Sequence, residues 1–306
     1  MIVVIYTCTL NPSIDYVIQL EEVQLGDLNI SSFNDKQPGG KGINVSRMIN
    51  RFQVRNQALG FLGGFTGQFV ADQLKKEKIE TNFIWVEEDT RINLKLKGKE
   101  ETEINGVSPF ISEENWKELL LQFTHLKAGD YVVLSGSVPN SLPKDAYSQI
   151  AKQAEIKGIH LFVDAKGEAL KSILPYRPFL IKPNHHELGE FFGTTIETVD
   201  QAVVYGKKLV EQGAKHVIVS MAEKGAILLS AENCYQANVP KGNVVNSVGS
   251  GDSLVGGFLA TFSETHSIKE AFHYGVASGS ATAFSLGLGE KTHIDELYKQ
   301  IDISTI

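Results

Sequence analysis

Asp252 follows Gly249-Ser250-Gly251 directly and opens an apolar helical run that ends near Phe262. A glycine-rich turn entering a helix offers several free N–H groups to an anion, and the helix dipole strengthens the attraction. A carboxylate in the first turn of such a helix can take the proton of a hydroxyl that attacks a phosphoryl group held by those amides. Asp in the same place is also a common helix cap. The segment by itself leaves base and cap both open.

Three further segments carry chemistry. In PGGKGINVSRMI, Pro38 to Ile49, the residues Gly39, Gly40 and Gly42 permit close backbone approach at another helix start, and Lys41 and Asn44 add side-chain donors. Taken singly, the glycines read as residues that only shape a tight loop, but a lysine buried among them calls for an anionic partner. The spacing is not that of a Walker A loop, and no GxGxxG follows a strand, which argues against a dinucleotide site. In IKPNHHELGEFF, Ile181 to Phe192, Pro183 stops a strand and Asn184 with Glu187 has capping-box spacing. Glu187 is therefore either structural or an organiser of Mg²⁺ through waters near nucleotide phosphates. Adjacent His185 and His186 point about 100° apart on a helix, so a zinc site is set aside. VIVSMAEKGAILL, Val217 to Leu229, reads as strand, turn through Ala222–Gly225, and strand. It is a plain hairpin, or it sets Ser220 and the turn backbone beside a nucleotide.

These residues need elements to hold them. Short, continuous apolar runs at Val3–Cys8, Gln57–Phe61, Tyr131–Ser135, His160–Val163, Phe179–Ile181 and His216–Ser220 suit strands covered on both faces. Helical spacing links Val199, Ala202, Val203, Gly206, Leu209 and Val210 before Gly213, and another helix runs from Trp116 through Leu119, Leu120 and Phe123. The alternation predicts an α/β fold with a mostly parallel sheet between helices. Asp15–Asn34 and Arg91–Glu103 break the rhythm with polar–apolar alternation, the second turning near Gly98-Lys99. They predict a small sheet standing off the main body, as a lid over a ligand, a dimer edge, or both. No linker or repeat interrupts residues 1–306, which are expected to form one domain with that appendage.

Composition narrows the ligand. The 306 residues carry a net charge of −7, with 42% hydrophobic and 21% charged residues, which excludes disorder as the dominant state. No basic run suggests nucleic acid. The longest apolar runs, Met1–Tyr6 and Tyr131–Leu134, fall far short of the roughly 20 residues a membrane span needs. The N-terminal MIVVIYTCTL has neither basic n-region nor cleavage site and reads as a buried strand, and Cys8 and Cys234 read as core thiols, so a cytoplasmic protein is expected. An anionic ligand must find its compensation in a few placed cations, amides or a metal.

Taken in order, the four segments resemble the PfkB (ribokinase-like) family of carbohydrate kinases. The glycine pair with Asn44 looks like the first family signature, and Asn246 to Gly257 like the second. Lys182–Glu187 and the Ser220–Gly225 turn are similar to its nucleotide-side motifs. NPSIDY at Asn11–Tyr16, TRINLKL at Thr90–Leu96 and TEIN at Thr102–Asn105 point to the branch acting on ketohexose phosphates. The resemblance implies a three-layer α/β/α ribokinase-like fold with a β-sheet lid within about 15–36 and 91–105. It also implies transfer of the ATP γ-phosphoryl to a phosphorylated ketohexose, fructose 1-phosphate before tagatose 6-phosphate. A silent sugar-phosphate or nucleotide-binding regulator on the same fold is the other implied class.

By that likeness Asp15, Gly39, Gly40 and Asn44 would hold the sugar, Lys41 and Arg91 its phosphate, and Ser137 would line the sugar site. Gly249, Ser250 and Gly251 would form the anion hole and Asp252 would be the base. Lys182, Asn184, Ser220, Gly225 and Ser278, with Gly249 and Gly251, would bind ATP. Glu187, through water, and Asn184 would serve Mg²⁺, and the lid sheet would join two copies in a homodimer. Two departures stand out: Asn29 is followed by Ile30 where Arg is frequent in the first lid strand, and Ser108 replaces a common glycine before Pro109. Asp27 and Asn29 stand where the kinase acting on fructose 6-phosphate has basic residues, which argues against that substrate.

Overall fold

A computed structural model describes residues 4–306. The chain opens with β1 (Ile5–Thr9), β2 (Ser13–Gln19), β3 (Phe33–Gly39), α1 (Lys41–Arg51), β4 (Asn56–Gly63), α2 (Gly64–Lys76), β5 (Glu80–Val86), β6 (Arg91–Lys97) and β7 (Glu101–Asn105). It continues through α3 (Glu113–Thr124), β8 (Tyr131–Ser135), α4 (Ala146–Lys157), β9 (His160–Asp164), α5 (Gly167–Ile173), β10 (Leu180–Ile181), α6 (His185–Phe192), α7 (Val199–Glu211) and β11 (His216–Ser220). The last part holds β12 (Ala226–Leu229), β13 (Cys234–Ala237), α8 (Ser250–Thr265), α9 (Ile268–Ala283), α10 (Lys291–Tyr298) and β14 (Ile303–Thr305).

Ten strands form one sheet in the order β14-β13-β12-β11-β10-β9-β8-β1-β4-β5, and four form a second in the order β3-β2-β6-β7. From β11 to β5 every pairing is parallel, while β12, β13 and β14 are antiparallel. The apolar runs are continuous because the central strands feed two cores. Tyr131 and Val133 of β8 pack under α1, α8, α9 and α10, while Val132 and Leu134 pack under α3 to α7. This is the three-layer arrangement expected. On the outermost strand, Gln122 and Asn115 of α3 donate side-chain amides to the main-chain carbonyls of Asn82 and Trp85 of β5, at 3.1 and 3.4 Å.

The expected strands Tyr131–Ser135 and His216–Ser220 are found with the same ends. Val3, assigned to the first strand, lies outside the described residues. The second sheet exists, but its strands differ from the expectation. Residues 13–14 already belong to β2, and β3 extends to Gly39, so Pro38 sits in a strand. It is tolerated because β3 is an edge strand, where a missing N–H costs no ladder bond. Between β2 and β3 the chain is an irregular loop, folded around Asn29, whose side-chain oxygen accepts from Gln24 N and whose amide donates to the Gln24 and Asp27 carbonyls. Asn29 and Ile30 are therefore not in a lid strand at all.

Candidate active site

The sheet reverses its winding at β1, which has β4 on one side and β8 on the other. Open α/β sheets bind ligands at the carboxyl ends of their strands, beside such a reversal. Asn11 follows β1 there, and its amide donates to Ser137 Oγ, just past β8, at 3.0 Å and to Ser108 Oγ at 2.7 Å. The serine in place of glycine at 108 thus adds a bond that fixes Asn11.

Asp252 lies on the same rim. Gly249 precedes α8 with φ 79°, a left-handed turn that glycine adopts without strain; the Ser250 N–H donates back to the Ser247 carbonyl at 3.3 Å, and the amides that follow it in the first turn have no carbonyl of α8 to bind. The Asp252 carboxylate makes no capping bond to α8; it is buried and accepts from Asn44 Nδ2 of α1 at 2.9 Å. The cap alternative is thereby excluded. Burial, then the nearby Asp164 anion, push its pKa up to about 6, against the opposing pull of Lys41, Asn44 and Lys182. A carboxylate tuned to that range is a stronger base than an ordinary one and is still ionised at neutral pH.

Lys41 opens α1. Gly40 before it has φ 113°, and a Cβ there would stand 2.9 Å from Thr9 Cγ2. The glycines do shape the loop, and their shape brings Lys41 onto the end of the sheet. Its ammonium lies 3.2 Å from Asp164 Oδ2, and Lys182 Nζ lies 3.5 Å from Oδ1 of the same carboxylate. Burial opposes the Lys41 charge, yet Asp164, with Asp252 and Glu187, outweighs it and the pKa rises. Asp164 itself is held below the ordinary carboxylate value: burial acts upward, but Lys182 and Lys41 win. Lys182 Nζ also sits 2.9 Å from where a Cβ on Gly251 would be, so it borders the amide turn.

Toward the second sheet, Asp15 Oδ1 accepts from Ser13 Oγ at 2.8 Å and Asn93 Nδ2 at 3.1 Å. A Cβ on Gly39 would fall 2.4 Å from the Asp15 carboxyl carbon, so that glycine makes room for the carboxylate. Arg91, level with Ser13 in the parallel β2–β6 pair, donates from Nη2 to the Asn11 carbonyl at 3.2 Å. Its Nε is buried with no protein partner. Burial lowers the pKa of this guanidinium, with Asp15 acting the other way. A desolvated cation with an unused donor fits an anion-binding position.

On the opposite flank, Asn184 and Glu187 form the expected capping box, Glu187 Oε2 accepting from Asn184 N at 3.0 Å and Asn184 Oδ1 from Glu187 N at 2.8 Å. The structural reading of Glu187 is therefore correct, and one carboxylate oxygen is left over. Asn184 has its side-chain oxygen committed, which speaks against it as a metal ligand. Ser220, at the end of β11, bridges to Asn184. Gly225 closes the tight turn beyond it, where a Cβ would meet the Ala237 carbonyl at 2.0 Å. Ser278 does not reach the cleft: it is fully buried between α8 and α9 and donates to the Tyr274 carbonyl at 2.7 Å. The His185 and His186 rings do not diverge as expected but pack with centroids 3.9 Å apart. No trio of His, Cys, Asp or Glu side chains placed to hold a metal is present among the described residues.

Asp164 is not among the residues the sequence singles out, and Asn11 and Asn93 enter there only within the NPSIDY and TRINLKL motifs, without a role of their own. The signal for Asp164 was a lone acid ending the apolar run His160–Val163. A cavity of ≈ 600 Å³ at the far end of the sheet, by Arg177 and Lys215, contains none of these residues.

Amides left open at a helix start, a buried carboxylate beside them and paired lysines at the rim of a parallel sheet define a phosphoryl-transfer enzyme. The chain belongs to the pfkB family of carbohydrate kinases, whose pattern matches residues 9–295. It is 54% identical over 302 residues to a 1-phosphofructokinase of Bacillus subtilis, covering 99% of this chain and 100% of that one. It is 36% identical to a D-tagatose-1-phosphate kinase of Bacillus licheniformis, over 98% of this chain and 99% of the other. Phosphofructokinase-2 from Escherichia coli, solved in complex with substrates and products, superposes with a TM-score of 0.92 at 29% identity, covering 97% of this chain and 99% of that one. No helix among the described residues is long and apolar enough to cross a membrane.

Proposed function

We propose that this enzyme transfers the γ-phosphoryl group of ATP to O6 of fructose 1-phosphate, giving fructose 1,6-bisphosphate and ADP. The observation that carries the reading is Asp252, buried, bonded to Asn44 and third in the helix that begins at Ser250, just after Gly249. In the reaction O6 attacks the γ-phosphorus, the bond to the β–γ bridging oxygen breaks, and the O6 proton passes to Asp252. The amides of Gly249–Gly251 stabilise charge on the transferring group. Arg91 and Lys41 meet the phosphate the sugar already bears, Asp15, Asn44 and Ser137 orient its hydroxyls, and Lys182 and Ser220 face the nucleotide.

Mg²⁺ fits the donor set only as a guest of the nucleotide. Glu187 keeps one free oxygen, and Mg²⁺ commonly retains waters and rests on one or two carboxylates plus phosphates. Glu187 would hold it through water, and the ion would offset negative charge on the ATP phosphates.

The second sheet is a lid over the sugar, and the same sheet supports a homodimer. Strand register puts Ile14, Tyr16 and Ile18 level with Ile92, Leu94 and Leu96, and Leu94 level with Ile104, so the middle of one face is apolar, with Asn34, Lys36 and Thr102 at its margins. Ile92 and Ile104 on it are 37% and 51% exposed. Two buried free thiols suit a reducing cytoplasm.

A coupled assay with MgATP against fructose 1-phosphate, tagatose 1-phosphate, tagatose 6-phosphate and fructose 6-phosphate tests the substrate. Fructose 1-phosphate is expected to give the highest kcat/KM. A higher value for another ketose phosphate reassigns the substrate, and absence of turnover with all four leaves a silent regulator. Sedimentation of the wild type and of Ile104→Glu tests the lid dimer: the wild type is expected as a dimer and the variant as a monomer.

A further inference from the structure

The segment that leaves the lid, residues 106–111, is pinned at both ends. Gly106 N donates to the Ile92 carbonyl at 3.1 Å, and a Cβ on Gly106 would fall 2.4 Å from that oxygen, so the chain runs hard against β6. Farther on, Phe110 N donates to Glu88 Oε2 at 2.7 Å and Ile111 N to Ser141 Oγ at 3.0 Å. Between these anchors Ser108 precedes Pro109, and proline holds the residue before it extended. The Ser108 hydroxyl is therefore a fixed point beside the start of β6. It accepts one hydrogen of the Asn11 amide, while Ser137 Oγ accepts the other.

Asn11 is 6% exposed, its Oδ1 is buried with no protein partner, and its main-chain carbonyl accepts from Arg91 Nη2 at 3.2 Å. A buried acceptor without a partner destabilises a fold, so stability alone does not favour asparagine here. What Asn11 does is orient. Each serine oxygen that accepts from its amide keeps its own hydrogen to donate, and among the described residues neither hydroxyl donates it to a protein acceptor.

We propose that Ser108 is a specificity-determining residue of the sugar-phosphate site: with Asn11 it fixes where the Ser137 and Arg91 donors stand relative to each other, and so which spacing of hydroxyl and phosphate a substrate must have. The inference rests on the ketose-phosphate reading given above. Ser137 stands on the main sheet and Arg91 on the lid, and Asn11 is bonded to both. Fructose 1-phosphate and its C4 epimer, tagatose 1-phosphate, carry the same phosphate and differ in the direction of one hydroxyl. Rigidly placed donors separate such a pair, whereas a donor free to follow the hydroxyl does not. Without the Ser108 oxygen the Asn11 amide is held on one side only, and the Ser137 hydroxyl turns with it. The well-matched epimer then loses a placed donor, while the poorly matched one loses little.

The test measures kcat/KM for both epimers, KM for ATP and melting temperature in Ser108→Ala, Ser108→Thr, Asn11→Ala and the Ser108→Ala/Asn11→Ala pair, with calorimetric binding of each sugar phosphate. Ser108→Ala is expected to raise KM for fructose 1-phosphate about tenfold, the scale of one lost hydrogen bond, and to lower the preference over tagatose 1-phosphate by a similar factor. KM for ATP should stay nearly constant, and Ser108→Thr, which restores a hydroxyl, should keep the preference. In the Asn11→Ala background Ser108→Ala should add little, because its effect runs through that amide. Equal losses for both epimers, which a merely structural tie would cause, fully additive losses, or unchanged kinetics would overturn the proposal. If Asn11→Ala does not fold, the contrast between Ser108→Ala and Ser108→Thr decides alone. Absence of turnover in the wild type would instead overturn the phosphoryl-transfer reading, and the binding preference would still report on Ser108.

Discussion

Replacing Asp252 by Asn should make the protein more stable and nearly inactive at once. The ordinary carboxyl value is 3.8 and the folded one about 6. Each tenfold change in proton affinity is worth ~1.4 kcal/mol, so keeping Asp252 ionised above pH 7 costs the fold about 3 kcal/mol. The raised value fixes the sign. Below 3.8 the group is protonated whether folded or unfolded and there is no cost. Between 3.8 and about 6 the folded state holds the extra proton, so stability falls as pH rises, and above that range the cost is complete. Asn is neutral throughout and can still accept from Asn44 Nδ2. Its advantage in urea unfolding should therefore grow by roughly 1.4 kcal/mol from pH 5 to pH 8. In the same variant kcat should drop about 10²–10⁴-fold, the range for loss of a general base, with binding of both substrates little changed. Wild-type kcat/KM should fall off below about pH 6. Equal stability of the two proteins at every pH, or a variant that keeps most of its turnover, would refute the account of Asp252.

Arg91→Ala should raise KM for the sugar phosphate and leave KM for ATP unchanged, a loss of roughly 1.5–3 kcal/mol in kcat/KM; Arg91→Lys should lose less, and equal damage to both KM values would mean general disorder of the lid. Glu187→Gln should weaken activation in a Mg²⁺ titration while melting near the wild-type temperature, because Gln can still close the capping box; a drop in melting temperature with an unchanged titration would leave Glu187 purely structural. Gly251→Ala places a methyl group 2.9 Å from Lys182 Nζ and should raise KM for ATP more than for the sugar phosphate, which parallel kinetics on both substrates would check.

Strands were legible where both faces are buried, because a run such as Tyr131–Ser135 needs no knowledge of its partners to read as a covered strand. The lid was harder. Leu28 and Ile30 alternate with polar residues as a strand would, yet they are 88% and 81% exposed on a loop. Alternation predicts a strand only where a neighbour supplies the ladder. The amide turn and Asp252 announced themselves because their parts are adjacent in the chain. The partners that decide their chemistry are remote: Asn44 is 208 residues from Asp252, and Lys41 is 123 from Asp164. No local pattern encodes such a meeting, and the capping function of Asp252 could be discarded only once its actual partner was visible. Ser278 erred in the opposite direction, since a serine in a helix looks the same in sequence whether its hydroxyl meets a ligand or its own backbone.

The amides of Gln122 and Asn115 on the β5 carbonyls bear on how copies of this chain can meet. A sheet of ten strands grows without limit if its rim accepts another strand, and polymerised sheet is insoluble. With hydrogen-bond positions on β5 already taken by α3, a strand from a neighbouring molecule finds fewer places to dock. The β5 rim is thereby less open to extension by another copy.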